Sequence, residues 1–253
     1  LGQRGLQVTI ADKASEAGGR VAKECRLPGL AAWSRVRDWR LQQISRMPNV
    51  ALYLESEMTP EAIAEVGADH VLLASGSSWL RDGTGRHFFS SIAIAANSDV
   101  LTPDDLMAGL RPKSRDVVIY DDDHYYMGGV LAELLRKEDY AVTLVTPAAL
   151  ASNFTKTSLE QKAIQKRLLG LGVRIEANKA VSAIAADHVT TQCTFTMDET
   201  RLPTASVVLV TARKPDDALF HRLSDQGIAC TRAGDCYGPA TIAAAVHAGR
   251  KFA

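Results

Sequence analysis

The run Val117-Val118-Ile119-Tyr120, the turn Asp121-Asp122-Asp123-His124-Tyr125-Tyr126-Met127-Gly128-Gly129 and the helical stretch Val130-Leu131-Ala132-Glu133-Leu134-Leu135 constrain the fold of this chain more than any other segment. A buried β-branched run, a turn and an apolar helix, followed by a second strand Ala141-Val142-Thr143-Leu144-Val145, read as a βαβ unit. Units of this kind build parallel sheets with helices on their faces. In a dinucleotide-binding turn, G-x-G-x-x-G, the first glycine permits the bend, the second admits the pyrophosphate and the third packs helix on strand. Aligned through Gly128, the first two positions here are Asp123 and Tyr125. A phenol ring fills the space that phosphates need, and a carboxylate at contact distance from a phosphate charge costs about 1–4 kcal/mol. The following strand ends in Thr146-Pro147, where an NAD site places Asp or Glu for the ribose. The unit 117–146 is therefore expected to keep its architecture without a nucleotide. Asp122 or Asp123 is expected at the helix N-terminus, where a negative charge gains about 0.3–1 kcal/mol; the alternative is a loop whose acids are only solvated.

At 253 residues and 46% hydrophobic content, the chain can bury one large core or two smaller ones. A formal net charge of zero gives no electrostatic argument for nucleic acid or an anionic membrane. No apolar run is long enough for a bilayer span, and Leu1 opens no signal-peptide pattern. Cys25, Cys193, Cys230 and Cys236 lack C-x-x-C spacing, which predicts buried thiols in a cytoplasmic setting and no metal or iron–sulfur site built from this chain alone.

Leu1-Gly2-Gln3-Arg4-Gly5 reads as the end of a helix with Gly5 as its C-terminal cap. Leu6 to Asp12 reads as a strand ending in an acid, followed by Glu16-Ala17-Gly18-Gly19-Arg20. In a Rossmann unit such an acid holds the adenosine ribose and follows a glycine-rich turn by about 20 residues. That turn falls before Leu1, so the first strand of the unit is expected to be missing. Ala31–Met47 is predicted as a helix with Trp33, Val36, Leu41 and Ile44 as core positions. Thr59-Pro60 and Thr102-Pro103 read as helix starts, and His70–Ala74 as a buried strand running into Ser75-Gly76. Ala74 and Gly76 are small enough to let a ligand approach the backbone, although a plain strand exit explains them equally. Beyond the acid turn the pattern predicts a helix from Ser158 to Leu169 with a capping box Thr157…Glu160. Further predictions are a strand at Val173–Glu176, a hairpin or small meander from alternating segments at 180–185 and 189–196, and a strand at Ser206–Val210. Gly227–Cys230, Ala233-Gly234-Asp235-Cys236 and a helix over 240–252 read as a last strand, turn and helix. His124 lies in the acid turn and could neighbour Asp122, although a histidine in a polar loop is more often incidental than catalytic; His70, His87, His188, His221 and His247 have no partner that spacing identifies, and no catalytic or metal-ligating residue is assigned.

Asp12 with Gly18-Gly19, Leu27-Pro28-Gly29 with Trp33-Ser34 and Arg37-Asp38, Gly67-Ala68-Asp69, Ala74-Ser75-Gly76, the Asp121–Gly129 turn and Ala233-Gly234-Asp235 together resemble the C-terminal region of the trimethylamine, dimethylamine and histamine dehydrogenase family. The resemblance implies an α/β fold with two Rossmann-like domains of the glutathione-reductase type, the second inserted in the first. An FAD/ADP-type domain would take residues 1–112 and 214–253, and an NAD(P)H-like domain with a degenerate glycine motif residues 113–213. It further implies a larger oxidoreductase, with a TIM barrel carrying FMN and a [4Fe-4S] cluster that passes electrons from an amine to an electron-transferring flavoprotein. Carried over, Asp12 binds the adenosine ribose of ADP or FAD, while Gly18, Gly19 and Arg20 lie along the nucleotide. Trp33 and Met58 stand near ribose and adenine, and Asp235 near the ribityl and phosphate region. Core packing explains Trp33 and Met58 equally well, and helix capping explains Asp235.

The chain has no barrel, no FMN site and no cluster cysteines, so it is expected to be a C-terminal piece that is not catalytic alone. Unpaired strand edges invite association, with a homodimer as one outcome. The rival readings are an FAD/NAD(P)H reductase of the dienoyl-CoA reductase type and a non-catalytic module that binds an adenine nucleotide.

Overall fold

The computed structural model describes residues 1–253. In chain order its strands are β1 (Val8–Ala11), β2 (Val50–Tyr53), β3 (Val71–Leu73), β4 (Ser77–Trp79), β5 (Ala93–Ile94), β6 (Asp99–Leu101), β7 (Asp116–Asp121) and β8 (Ala141–Thr146). They continue with β9 (Arg174–Ala177), β10 (Lys179–Ile184), β11 (His188–Cys193), β12 (Glu199–Pro203), β13 (Ser206–Val210), β14 (Arg213–Pro215) and β15 (Cys230–Arg232). The helices are α1 (Arg20–Glu24), α2 (Ser34–Ile44), α3 (Pro60–Val66), α4 (Pro103–Met107), α5 (Met127–Lys137), α6 (Gln161–Gly170), α7 (Ala218–Asp225) and α8 (Ile242–Phe252). No helix is long and apolar enough to cross a membrane. The chain forms two compact units, one of residues 1–26, 30–78 and 214–253, the other of 27–29 and 79–213.

The second unit is built on a five-stranded parallel sheet in the order β6-β13-β7-β8-β9. Its central strands are buried along their length, which is why Val117–Tyr120 and Ser206–Val210 read as continuous rather than alternating apolar runs. On the helical side, α5 turns Leu131, Ala132 and Leu135 fully inward. Tyr120, Val145 and Leu209 share a core with Val181 and Val189 of a second sheet, ordered β12-β11-β10-β5. The alternating segments at 180–185 and 189–196 fall on the antiparallel pair β10 and β11, with a register shift between Val181 and Ala183. The resemblance implies a second domain over 113–213, and the compact unit of the fold that contains it takes in 79–213 together with 27–29. Its early part is tied in by long-range pairing: β6 lies beside β13 with Leu101 opposite Val208, and β5 lies beside β10.

The first unit holds two separate two-stranded parallel sheets, β1-β2 with Val8 opposite Val50 and β15-β3 with Val71 opposite Cys230. Ile63, Leu73, Leu223 and Cys236 form its small core. Gly5 has the left-handed φ of 84° expected of a helix cap, and Thr59 caps α3 by accepting from the Ala62 N–H at 3.2 Å. The long helix expected over 31–47 divides into a 3₁₀ turn, Ala31–Trp33, and α2, none of whose residues is fully buried. β2, four residues long, packs against α2 and is too short to cover a three-turn face.

Two boundaries also move. The helix expected from Ser158 starts at Gln161, because Asn153–Lys156 forms a 3₁₀ turn and Leu159 takes a positive φ of 63°. Thr157 does not cap it; its hydroxyl donates to the Phe154 carbonyl at 2.9 Å. The last strand forms at Cys230–Arg232 instead of 227–230, since the αL conformation of Gly227, φ 73°, still belongs to the exit from α7.

Candidate functional site

Ligands of open parallel sheets bind outside the carboxyl ends of the strands, where loops diverge. In the first unit those ends carry most of the residues singled out from sequence. Asp12 follows β1 and accepts from the Ala14 N–H at 2.9 Å, an Asx turn that fixes its carboxylate. Gly18 and Gly19 follow with φ of 112° and 53°. At Gly18 a Cβ would lie 2.7 Å from Arg37 Cδ, so both backbone conformation and space demand glycine there. Ala74 and Gly76 follow β3, and Asp235 follows β15.

A polar network joins these segments. Arg20 Nη1 lies 3.1 Å from Glu24 Oε1, and Arg20 Nε lies 3.7 Å from Asp235 Oδ2. Asp235 also accepts from Ser77 Oγ at 3.0 Å and from the Ala240 N–H at 3.1 Å. Thr241 is the cap of α8, accepting from the Ala244 N–H at 3.3 Å, so Asp235 is not spent on that role. Trp33 is half-buried at the junction of its 3₁₀ turn with α2, and Met58 packs against the Ile63 and Leu73 core. Glu24, a buried carboxylate, is the member of the network that sequence reading missed. Its only local signal is the i,i+4 spacing from Arg20. A Cβ on Gly19 or Gly76 would meet nothing within 4 Å, so open space lies against the backbone at both loops. An open backbone cradle with a fixed carboxylate at Asp12 and a guanidinium at Arg20 can accept from hydroxyl groups and attract an anion.

The acid turn of the second unit is built differently. Asp121 ends β7 and directs its carboxylate onto the first turn of α5, where a Cβ on Gly128 would lie 2.5 Å from Asp121 Cγ. This corrects the expectation that Asp122 or Asp123 takes that place. Asp122, also fully buried, faces the loop before β5 and accepts from the Arg86 and His87 N–H groups at 2.6 and 2.9 Å. Asp123 pairs with Arg86 at 3.8 Å. His124, at φ 63°, lies 3.4 Å from Asp122 and 3.3 Å from Thr146 Oγ1, the position where an NAD site needs an acid. Tyr125 packs edge-on to Phe154, and Arg86 stacks over the same ring. Burial, more than the Asp123 charge beside it, pushes the Asp121 carboxyl up to about 7. Side chains and loop amides fill the space at this helix start, and the residues present do not fit a pyrophosphate.

Residues 101–201 match the family model described as the OYE-like second alpha/beta domain. The whole chain superposes on histamine dehydrogenase from Rhizobium sp. 4-9 with a TM-score of 0.97 and 42% identity, covering 100% of this chain and 40% of that one. The chain is homologous to histamine and dimethylamine dehydrogenases. Dimethylamine dehydrogenase of Hyphomicrobium sp. (strain x) is 29% identical over 196 residues, 75% of this chain and 26% of that protein. The 6-hydroxypseudooxynicotine amine oxidase of Pseudomonas geniculata N1 matches with a TM-score of 0.96 and 38% identity, covering 99% of this chain and 38% of that one. The chain thus spans between a quarter and two-fifths of the length of these relatives.

Proposed function

We propose that this chain is the adenine-nucleotide-carrying part of an amine-oxidising flavoenzyme, with ADP or FAD held by the first unit and the second unit serving as nucleotide-free support. The match to histamine dehydrogenase over the whole of this chain and 40% of that one supports the reading. In it the first unit is the FAD/ADP-type domain and the second an NAD(P)H-type domain inserted in it. The separation of β1-β2 from β15-β3 supports one further parallel strand between β1 and β3, bringing a glycine-rich turn to the strand ends. Oxidation of the amine would belong to a barrel carrying FMN and [4Fe-4S], and electron delivery to an electron-transferring flavoprotein.

Within the chain, Asp12 accepts from the ribose hydroxyls, the glycines at 18, 19 and 76 let the backbone approach, and Arg20 supplies positive charge toward phosphate. ADP would supply no redox chemistry, whereas FAD would supply an electron carrier. The test is analysis of nucleotide released from the purified protein together with calorimetry. ADP or FAD is expected, NADH should not bind, and Asp12→Ala should weaken ADP by about tenfold, the worth of one charge-assisted hydrogen-bonding group. A chain extended upstream by about 35 residues, enough for a strand and its glycine-rich turn, should bind ADP more tightly. Micromolar NADH binding abolished by substitutions in 123–128 would overturn the reading of the second unit.

A further inference from the structure

The Arg20–Glu24 pair is asymmetric. The Glu24 side chain keeps 1% of its surface and the Arg20 side chain 18%, so the anion is sealed in α1 while the cation remains reachable. A buried ion pair is a weak source of net stability, because desolvation offsets the attraction; replacement by apolar side chains is often neutral or better. What a buried partner provides is geometry, since it removes the rotamer freedom of a long arginine side chain. The direction it imposes is set by the fold. Arg20 follows the Gly18-Gly19 turn beyond β1, and its Nε reaches 3.7 Å from Asp235 beyond β15, while Ser77 beyond β3 donates to the same carboxylate. The guanidinium therefore stands among the carboxyl ends of three strands. Asp235 on its own would repel a phosphate there, and Arg20 screens that charge.

We propose that Glu24 is a positioning residue, which fixes the Arg20 guanidinium at these strand ends to take a phosphate of the bound adenine nucleotide. The proposal rests on the nucleotide reading of the first unit. It predicts that Glu24 matters to phosphate recognition although it touches no ligand.

The test is calorimetric binding of ADP, AMP and adenosine to the 253-residue chain, as wild type, Glu24→Gln, Glu24→Asp and Arg20→Lys. Glu24→Gln should lower the preference for ADP over adenosine by about tenfold, the scale of one charge-assisted contact, with adenosine affinity held and the salt dependence of ADP binding reduced. Glu24→Asp should restore part of the preference. Arg20→Lys, which keeps a cation beside Glu24 and protects the fold, should lower the preference severalfold even where the Gln variant fails to fold. Equal weakening of ADP and adenosine in the folded Glu24 variants, or an unchanged preference in Arg20→Lys, would overturn the proposal. Wild-type protein that binds adenosine and ADP equally would remove the phosphate contact alone. Wild-type protein that binds no adenine compound would bring down the nucleotide reading and this proposal with it.

Discussion

Asp121→Asn is expected to flatten the pH dependence of stability between about pH 4 and 7 and to make the chain more stable than wild type at pH 8. The Asp121 carboxyl is buried completely; one oxygen accepts from the His124 N–H at 3.1 Å and the other has no partner. Burial raises its pKa from 3.8 to about 7; the charges of Asp123 and Asp122 push the same way, and His124 with its N–H opposes them. The folded state therefore holds a proton that the unfolded chain releases, and the unfolded state binds fewer protons across this window. Stability contributed by the protonated group is fully present below the unfolded pKa and is lost as pH rises through the folded one. A shift of that size corresponds to about 4 kcal/mol. Asparagine keeps the shape and the acceptor for His124 without the charge. Urea unfolding at pH 5 and pH 8, with hydrogen exchange read over 116–121, measures the difference. A variant that loses as much stability as wild type between the two would show that Asp121 is not the titrating group.

Asp122→Ala is expected to cost about 2–4 kcal/mol and to release the loop before β5. Its carboxylate receives the Arg86 and His87 N–H groups, and removing it strands two donors and opens a gap where Gly85 packs closest. A Cβ on Gly85 would fall 2.1 Å from Asp122 Oδ2, so the loop is moulded to this side chain. Asp122→Asn keeps an acceptor and should cost about 1 kcal/mol. Hydrogen exchange at Arg86 and His87 should quicken at least tenfold in the alanine variant, with the β8 and β9 amides unchanged. Protection retained at both amides would mean that the loop is held by the Arg86–Phe154 stack instead.

These two acids show where sequence reading reaches its limit. The aspartate-rich turn was legible as a nucleotide site that had lost its glycines, because steric and charge conflict with a pyrophosphate follows from residue type alone. Which aspartate does what was not. Successive residues at a strand end point to opposite faces, so Asp121 meets α5 and Asp122 meets the loop of Gly85, and no local pattern names those neighbours. In the first unit, Asp12 and Asp235 could be picked out as acids at strand ends. Glu24 could not, because its part depends on Arg20 reaching a carboxylate from the other end of the chain.

The sequence by itself determined the parallel α/β character, through the continuous apolar runs at Val117–Tyr120 and Ser206–Val210, and the helix starts at Thr59-Pro60 and Thr102-Pro103, where an N-cap and a proline act within a few residues. It also supplied the family resemblance. The tertiary structure alone decided that 79–112 belongs with the second unit, that α2 stays half-exposed and that α6 starts late. Periodicity and capping are short-range properties written in neighbouring residues. Strand pairing, the depth of burial and the partner of a charged side chain are set by segments that meet only after folding.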